Sequence, residues 1–192
     1  SRSFTECCYE RIEDIQLSLT DPLIINYDGV ISDLSDQTFI FDIDSDGKGD
    51  QLCCPVPGSG FLALDLNKDG VIGDGSELFG TESGNGFRDL SVYDRDGNGF
   101  IDENDEVFDQ LKIMTVDSDG SQHLYTLGEK NIGALGLMNV QTVFSLNSMS
   151  DNSTDGIIRN TGIFLFENGN AGTGQQLDLV RKNSERIKAA YI

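Results

Sequence analysis

The stretch DRDGNGFIDENDEVFDQLKIM, residues 94–114, decides how the chain is read. Oxygen side chains at alternate positions, Asp94, Asp96 and Asn98, converge on one point if the backbone coils tightly between them. Gly99 permits the sharp turn, Phe100 supplies a backbone carbonyl, Ile101 is the apolar position, and Asp102 and Asp105 fall at loop positions 9 and 12. That set provides the six to eight hard oxygens that Ca²⁺ prefers, in the order of an EF-hand loop. The exit places Val107, Phe108 and Leu111 on one helical face, which predicts the second helix of an EF-hand.

The pattern recurs outward from there, with loop starts at residues 42, 65, 94 and 117. Repetition of a loop, rather than of a whole fold, is the signal. The first copy offers Asp42, Asp44, Asp46, the carbonyl of Lys48 after Gly47, and Asp50, with Cys53 at the closing position. The second offers Asp65, Asn67, Asp69 and the Val71 carbonyl after Gly70, with Glu77 one place late for closure. The fourth stops after Asp119 and Ser121 and is not expected to bind metal. Mg²⁺ would keep more of its water, and no thiol or imidazole is arranged for a transition metal. Calcium is therefore the expected cofactor, at about three ions, one for each of the first three loops.

Composition agrees. The chain has 192 residues, of which 33 are acidic and 13 basic, for a net charge of −20. Three divalent ions would bring −20 to −14, so metal binding should contribute folding free energy directly. A balance so one-sided argues against nucleic acid and anionic lipid as partners, since both need a basic footprint. No apolar run approaches the roughly 20 residues that cross a bilayer, so membrane insertion is not expected. No charged-then-apolar leader opens the chain, and any export signal is expected outside this piece. The four cysteines form two adjacent pairs, Cys7-Cys8 and Cys53-Cys54, which suit either cross-links between the pairs or four free thiols. His123 is the single imidazole and is expected to be a surface or packing residue.

Between the second and third loops, GTESGNGFRDLSVY (residues 80–93) reads as a glycine-rich connection entering a short helix around Phe87–Tyr93. After Leu127 the texture turns strand-like, in LMNVQTVFSLN, TGIFLFENG and QQLDLVRK, with Asn168-Gly169 marking a hairpin turn. The fold class expected is α+β: EF-hand-like calcium loops with short helices, followed by an antiparallel β-sheet.

A resemblance now becomes visible. The blocks DPLII, FIFDIDSDGKGDQ, GFLALDLNKDGVIGDGSELFG, YDRDGNGFIDENDEVF and TGIFLFENGNAG occur in the order found in the self-processing module of RTX proteins, known from the FrpC-type iron-regulated members. The likeness covers roughly Asp21 to Val180, nearly the whole chain. It implies an upstream segment, 1–20, and a single calcium-folded module, 21–192. It also implies that calcium folds the module and that the Asp21-Pro22 bond then breaks autocatalytically, once per molecule, with the chain's own upstream segment as substrate. Asp21 would be the reactive residue and Pro22 the new amino terminus. The freed aspartyl group can also be captured by a lysine of another protein or a cell-surface acceptor, leaving an Asp–Lys isopeptide cross-link. Such modules belong to large bacterial proteins that are secreted or held at the cell surface, and a monomer is expected. This sequence departs from the pattern where NYDGVISDL, with Asn26 and Asp28, replaces an acidic loop after the bond, and where Cys54 replaces an aromatic residue.

The chemistry follows from the residues. The Asp21 carboxylate is one methylene from its own main-chain carbonyl carbon, so attack closes a five-membered anhydride and expels the proline nitrogen. Positioning of such an intramolecular nucleophile can lower a barrier by roughly 7–11 kcal/mol. Pro22 makes the amide tertiary and more easily twisted. Water or an amine then opens the anhydride; the lysines are Lys48, Lys68, Lys112, Lys130, Lys182 and Lys188, and nothing in the sequence selects one. The alternative reading is a non-catalytic calcium-binding structural or adhesive module of a large secreted protein. A dockerin-like module fits poorly, because its shorter, helix-rich repeats do not end in a sheet.

Overall fold

The computed structural model describes residues 19–28, 32–117 and 119–182. Eleven strands appear among them: β1 (Leu19–Thr20), β2 (Leu23–Asn26), β3 (Leu34–Phe41), β4 (Asp50–Pro55), β5 (Ser59–Leu64), β6 (Phe100–Ile101), β7 (Leu111–Val116), β8 (Gln122–Thr126), β9 (Ile132–Asn147), β10 (Thr154–Phe166) and β11 (Ala171–Val180). The main sheet runs β6-β9-β10-β11-β2-β5-β7-β8, all antiparallel, and β1 joins it on β11 beside β2. A second sheet is the β3–β4 hairpin.

The main sheet is buried on both faces at its centre. Strand β5 has all six residues buried, with Phe61 and Ala63 packing into one core and Leu62 and Leu64 into the other. Strand β2 splits the same way, Ile24 to one side and Leu23 and Ile25 to the other. One core is roofed by Phe39, Phe41, Leu52 and Cys54 of the β3–β4 hairpin; the other takes Phe87 and Leu90 of the helix α1 (Gly86–Ser91). Each fully buried Leu, Ile or Phe contributes about 1.5–3 kcal/mol over its exposed state.

This corrects the expected class. Among the described residues α1 is the one α-helix, six residues long and capped by the Asn85 side chain, which accepts from Arg88 N–H. The remaining helical turns are three-residue 3₁₀ pieces. The protein is predominantly antiparallel β, not α+β with EF-hand helices. The exit helix expected after Asp105 is absent: Phe108–Gln110 makes one 3₁₀ turn, and Leu111 then opens β7. The physical reason is packing from both sides. Leu111 and Ile113 enter one core and Met114 the other, so a central strand between β5 and β8 buries all three, whereas one helical face would not.

The short helix expected near Phe87 is present as α1, and the Asn168-Gly169 pair does turn β10 into β11, with Gly169 at φ +83°. Among the described residues no helix is long and apolar enough to cross a membrane. Cys7, Cys8, Lys188 and the tail after Lys182 lie outside the described residues.

Candidate functional site

Three acidic loops share one backbone conformation. Position 4 is left-handed in each, at Ser45 (φ +57°), Lys68 (φ +60°) and Gly97 (φ +71°). Position 6 is left-handed as well, at Gly47, Gly70 and Gly99. The carboxylate at position 1 winds the coil by accepting loop amides: Asp42 from Asp46 and Gly47, Asp65 from Asp69 and Gly70, Asp94 from Gly97, Asn98 and Gly99. Left-handed Ser and Lys cost about 1 kcal/mol or more each, so the coil is held by its hydrogen bonds rather than by backbone preference.

The oxygens converge as a hard cation requires. Atoms of Asp42, Asp44 and Asp46 lie within 4.8 Å of one another, and so do atoms of Asp94, Asp96 and Asp105. Asp105 is buried and also accepts from the Arg95 and Asp102 amides, which closes its loop. Asp102 itself is held by Asn98 and Asn104. In the second loop Asn67 and Asp69 are hydrogen-bonded to each other. Glu77, buried, clamps that loop by accepting from Leu66 and Gly73 N–H at 3.0 and 2.8 Å. Asp50 starts β4, 3.7 Å from the Arg181 guanidinium, which also reaches Asp44 at 2.6 Å. Lys48 and Val71 directly follow the left-handed glycines, and Phe100, in the same place, pairs with Gly136 of β9. An all-oxygen donor set on a rigid coil fits calcium.

The two weaker loops differ. Asn26 is fully engaged, its amide donating to Thr173 and Gln175 and its carbonyl accepting from Ser32 and Ser59, which uses its whole donor and acceptor capacity. Asp117, Asp119 and Ser121 lie between β7 and β8, where Asp117 pairs with His123 at 2.9 Å at the sheet edge far from β11.

The Asp21-Pro22 bond lies between β1 and β2, which pair with one continuous strand, β11. Thr20 faces Leu179 and Leu23 faces Gln176, so Asp21 and Pro22 stand opposite Asp178 and Leu177. Proline cannot donate to the ladder, but the Pro22 carbonyl accepts from Leu177 N–H at 3.0 Å, and Leu23 N–H donates to the Phe79 carbonyl at 2.9 Å. Gly80, at φ +103°, lies so close that a Cβ there would sit 2.1 Å from the Asp21 carbonyl oxygen. Loss of water first, and then the facing Asp178 carboxyl, together raise the Asp21 carboxyl to about 7, with Arg159 opposing them. Two carboxyl groups can hydrogen-bond only by sharing a proton. The buried Asp178 Oδ1 has no hydrogen-bond partner among the described residues, while its Oδ2 accepts from Arg159 Nε.

The loops connect to this bond. Asp42 pairs with Asp74, the Asp42 carbonyl accepts from Gly75 N–H, and Ser45 donates to Asp74. From Asp74 the chain passes Glu77 and reaches Phe79 and Gly80 against the Asp21-Pro22 segment. On the other side Arg181 spans from Asp44 to the Thr20 hydroxyl. Cys53 and Cys54 are buried thiols in β4; burial pushes Cys53 up to about 11 and raises Cys54 as well.

Sequence reasoning placed the loops and Asp21-Pro22 but missed Asp178, Arg159 and Gln176. A charged residue inside the otherwise buried run LDLV of β11 is the signal that could have marked Asp178.

Acid-wound loops bolted to an antiparallel sheet define a β-domain whose first two strands meet at an Asp-Pro junction on β11. Residues 23–180 match the family model of the SPM domain, and the chain belongs to that family. The name fits a self-processing module, and the match begins one residue past Pro22.

Proposed function

We propose that this protein cuts itself at Asp21-Pro22 once calcium has ordered its acidic loops. The observation that carries this is the position of the bond: it sits between β1 and β2, both paired to β11, with the Asp21 carboxyl half-buried and raised to about 7 beside Asp178. A carboxyl near neutrality is available both to lose a proton and to attack.

Asp42, Asp44 and Asp46 would hold one ion, Asp94, Asp96 and Asp105 a second, and Asp65, Asn67 and Asp69 a third. The carbonyls of Lys48, Val71 and Phe100 complete the sets, with Asp50, Glu77 and Asp102 as outer acids. Calcium, when bound, supplies charge that offsets the packed carboxylates and fixes each coil. The chain's own residues do the chemistry. β11 holds the peptide straight on both sides of the bond, Gly80 closes over the Asp21 carbonyl, and the Asp21 carboxylate attacks its own carbonyl carbon. The C–N bond to Pro22 breaks and leaves a cyclic anhydride, which water hydrolyses or a lysine amine converts to an isopeptide. We place the module in a large secreted or surface protein of the RTX kind, acting as a monomer on its own upstream segment.

The test adds millimolar calcium to metal-free protein and follows it by denaturing gel and intact mass. Fragments 1–21 and 22–192, lost in Asp21→Ala, are expected. An intact chain that only gains structure is the result of a structural or adhesive calcium module and overturns the proposal.

A further inference from the structure

We propose that Asp178 is the residue that carries the proton in this cleavage, and that Arg159 positions it. The inference rests on reading Asp21-Pro22 as the reacting bond. Three independent features converge on Asp178. The register of β1 and β2 places it directly opposite Asp21, with both side chains on one face of the sheet. Its side chain is only 4% exposed, so water is a poor competitor for its proton. One oxygen is fixed on Arg159 Nε, and the other is buried with no hydrogen-bond partner among the described residues, free to take a proton.

Arg159 owes its place to an irregularity. Ile158 pairs with Leu177 and Asn160 with Gln176, so Arg159 is the extra residue of a β-bulge in β10. Bulges re-aim side chains, and this one sends a guanidinium to the carboxylate opposite the scissile bond. Gln176, next on the same face, donates to the Gly84 carbonyl at 2.6 Å and holds the Gly80–Gly84 turn over Asp21.

The steps balance without an outside reagent except water. The Asp21 carboxyl passes its proton to Asp178 Oδ1. The freed Asp21 oxygen bonds to its own carbonyl carbon. As the C–N bond breaks, Asp178 gives the same proton to the proline nitrogen, which leaves as a secondary amine. Asp178 returns to the carboxylate held by Arg159, and water opens the anhydride to two carboxyl groups. One proton thus serves both activation of the nucleophile and departure of the amine, as expected when two facing carboxyls hold one proton between them.

The test is the pH profile of calcium-triggered cleavage in wild type and in Asp178→Asn. The charged groups about the pair are Arg159 from β10, Asp89 of α1 through Gly80 and Ser83, and Arg181 through Thr20. Wild type should be fastest while the pair holds one proton and should slow about tenfold per pH unit once that proton is lost, above about 7 for Asp21. Asp178→Asn should cleave about 10²–10⁴-fold more slowly and lose the alkaline fall, while Asp178→Glu should restore part of the rate and the fall together. The calcium-induced far-UV circular dichroism change serves as the folding control. Asp178→Asn that cleaves within twofold of wild type, with the same profile, overturns the proposal. If that variant does not fold, a wild-type rate that stays level from pH 6 to 9 overturns it. Failure of wild type to cut at Asp21-Pro22 at any pH defeats the cleavage reading itself, and is distinguishable from both.

Discussion

The Asp94–Asp105 loop and the Asp21–Asp178 junction both press carboxyl groups together, and they do so by opposite means. In the loop every acid comes from twelve consecutive residues, all but Asp105 reach solvent, and backbone amides of the same loop wind them into place. At the junction one acid comes from the start of the described chain and the other from its last strand, and the pair is sunk against β10 and the Gly80–Gly84 turn. Like charge is tolerable in the loop because a cation can enter. At the junction burial above all, and the facing Asp178 carboxyl next, favour the protonated acid, which is why Asp21 sits near 7. The difference separates a region whose acids could gather round a metal ion from one whose acids can share a proton.

The sharpest way to break that contrast is Gly80→Ala. A Cβ 2.1 Å from the Asp21 carbonyl oxygen, on a left-handed residue, must displace the Asp21-Pro22 segment. Cleavage should fall by about 10²-fold or more, as small misplacements of reacting groups do, while calorimetry still finds calcium uptake by the loops. Loss of both together would show that the two regions are one unit.

Asp94→Ala attacks the other side. It removes the acceptor of three loop amides and one metal oxygen. An ion present at a hundredfold excess over its Kd stabilises by about 2.7 kcal/mol, so the calcium-induced rise in Tm should shrink by roughly 5–10 °C for a domain of this size. An undiminished rise would remove this loop from the metal sites.

Proton uptake gives a smaller effect with a definite sign. Asp21 is raised from 3.8 to about 7 in the folded protein, so between those values the folded state binds a proton that the unfolded state has released. Stability from this group is present below the lower value and is lost as pH rises through the upper one. Calcium-driven folding at pH 5.5–6 should therefore take up close to one proton more in wild type than in Asp21→Asn, measured by titration calorimetry in buffers of different ionisation enthalpy. Equal uptake would mean that Asp21 titrates as in an open chain.

The smallest expected effect is that of Lys48→Ala. Its ammonium pairs with Asp46 on the exposed face of the first loop, at 3.0 Å. Exposed pairs contribute little, and a metal site needs only the backbone carbonyl at this position. Tm and cleavage rate should be unchanged within error; a clear loss of calcium affinity would give the side chain a role the loop does not require.

Legibility followed the same division. The three loops could be read because oxygen at alternate positions and glycine at the sixth are local requirements, met or failed within a dozen residues. The helix expected from Val107, Phe108 and Leu111 could not be corrected from sequence, since that spacing suits a helix as well as a turn entering a strand; Ile113 and Met114, buried on opposite faces, decide it. Strands β2 and β5 gave no alternating pattern because both of their faces are covered. Asp178 and Arg159 carried no motif at all.

By itself the order of residues determined where oxygen-rich coils form and which peptide bond is chemically weakest, because both depend on neighbours along the chain. Only the tertiary structure decided that β1 and β2 straddle that bond on β11, and that Asp178 and Arg159 stand across from it. Strand pairing is fixed by which faces can be buried together, a property of the whole sheet rather than of any segment.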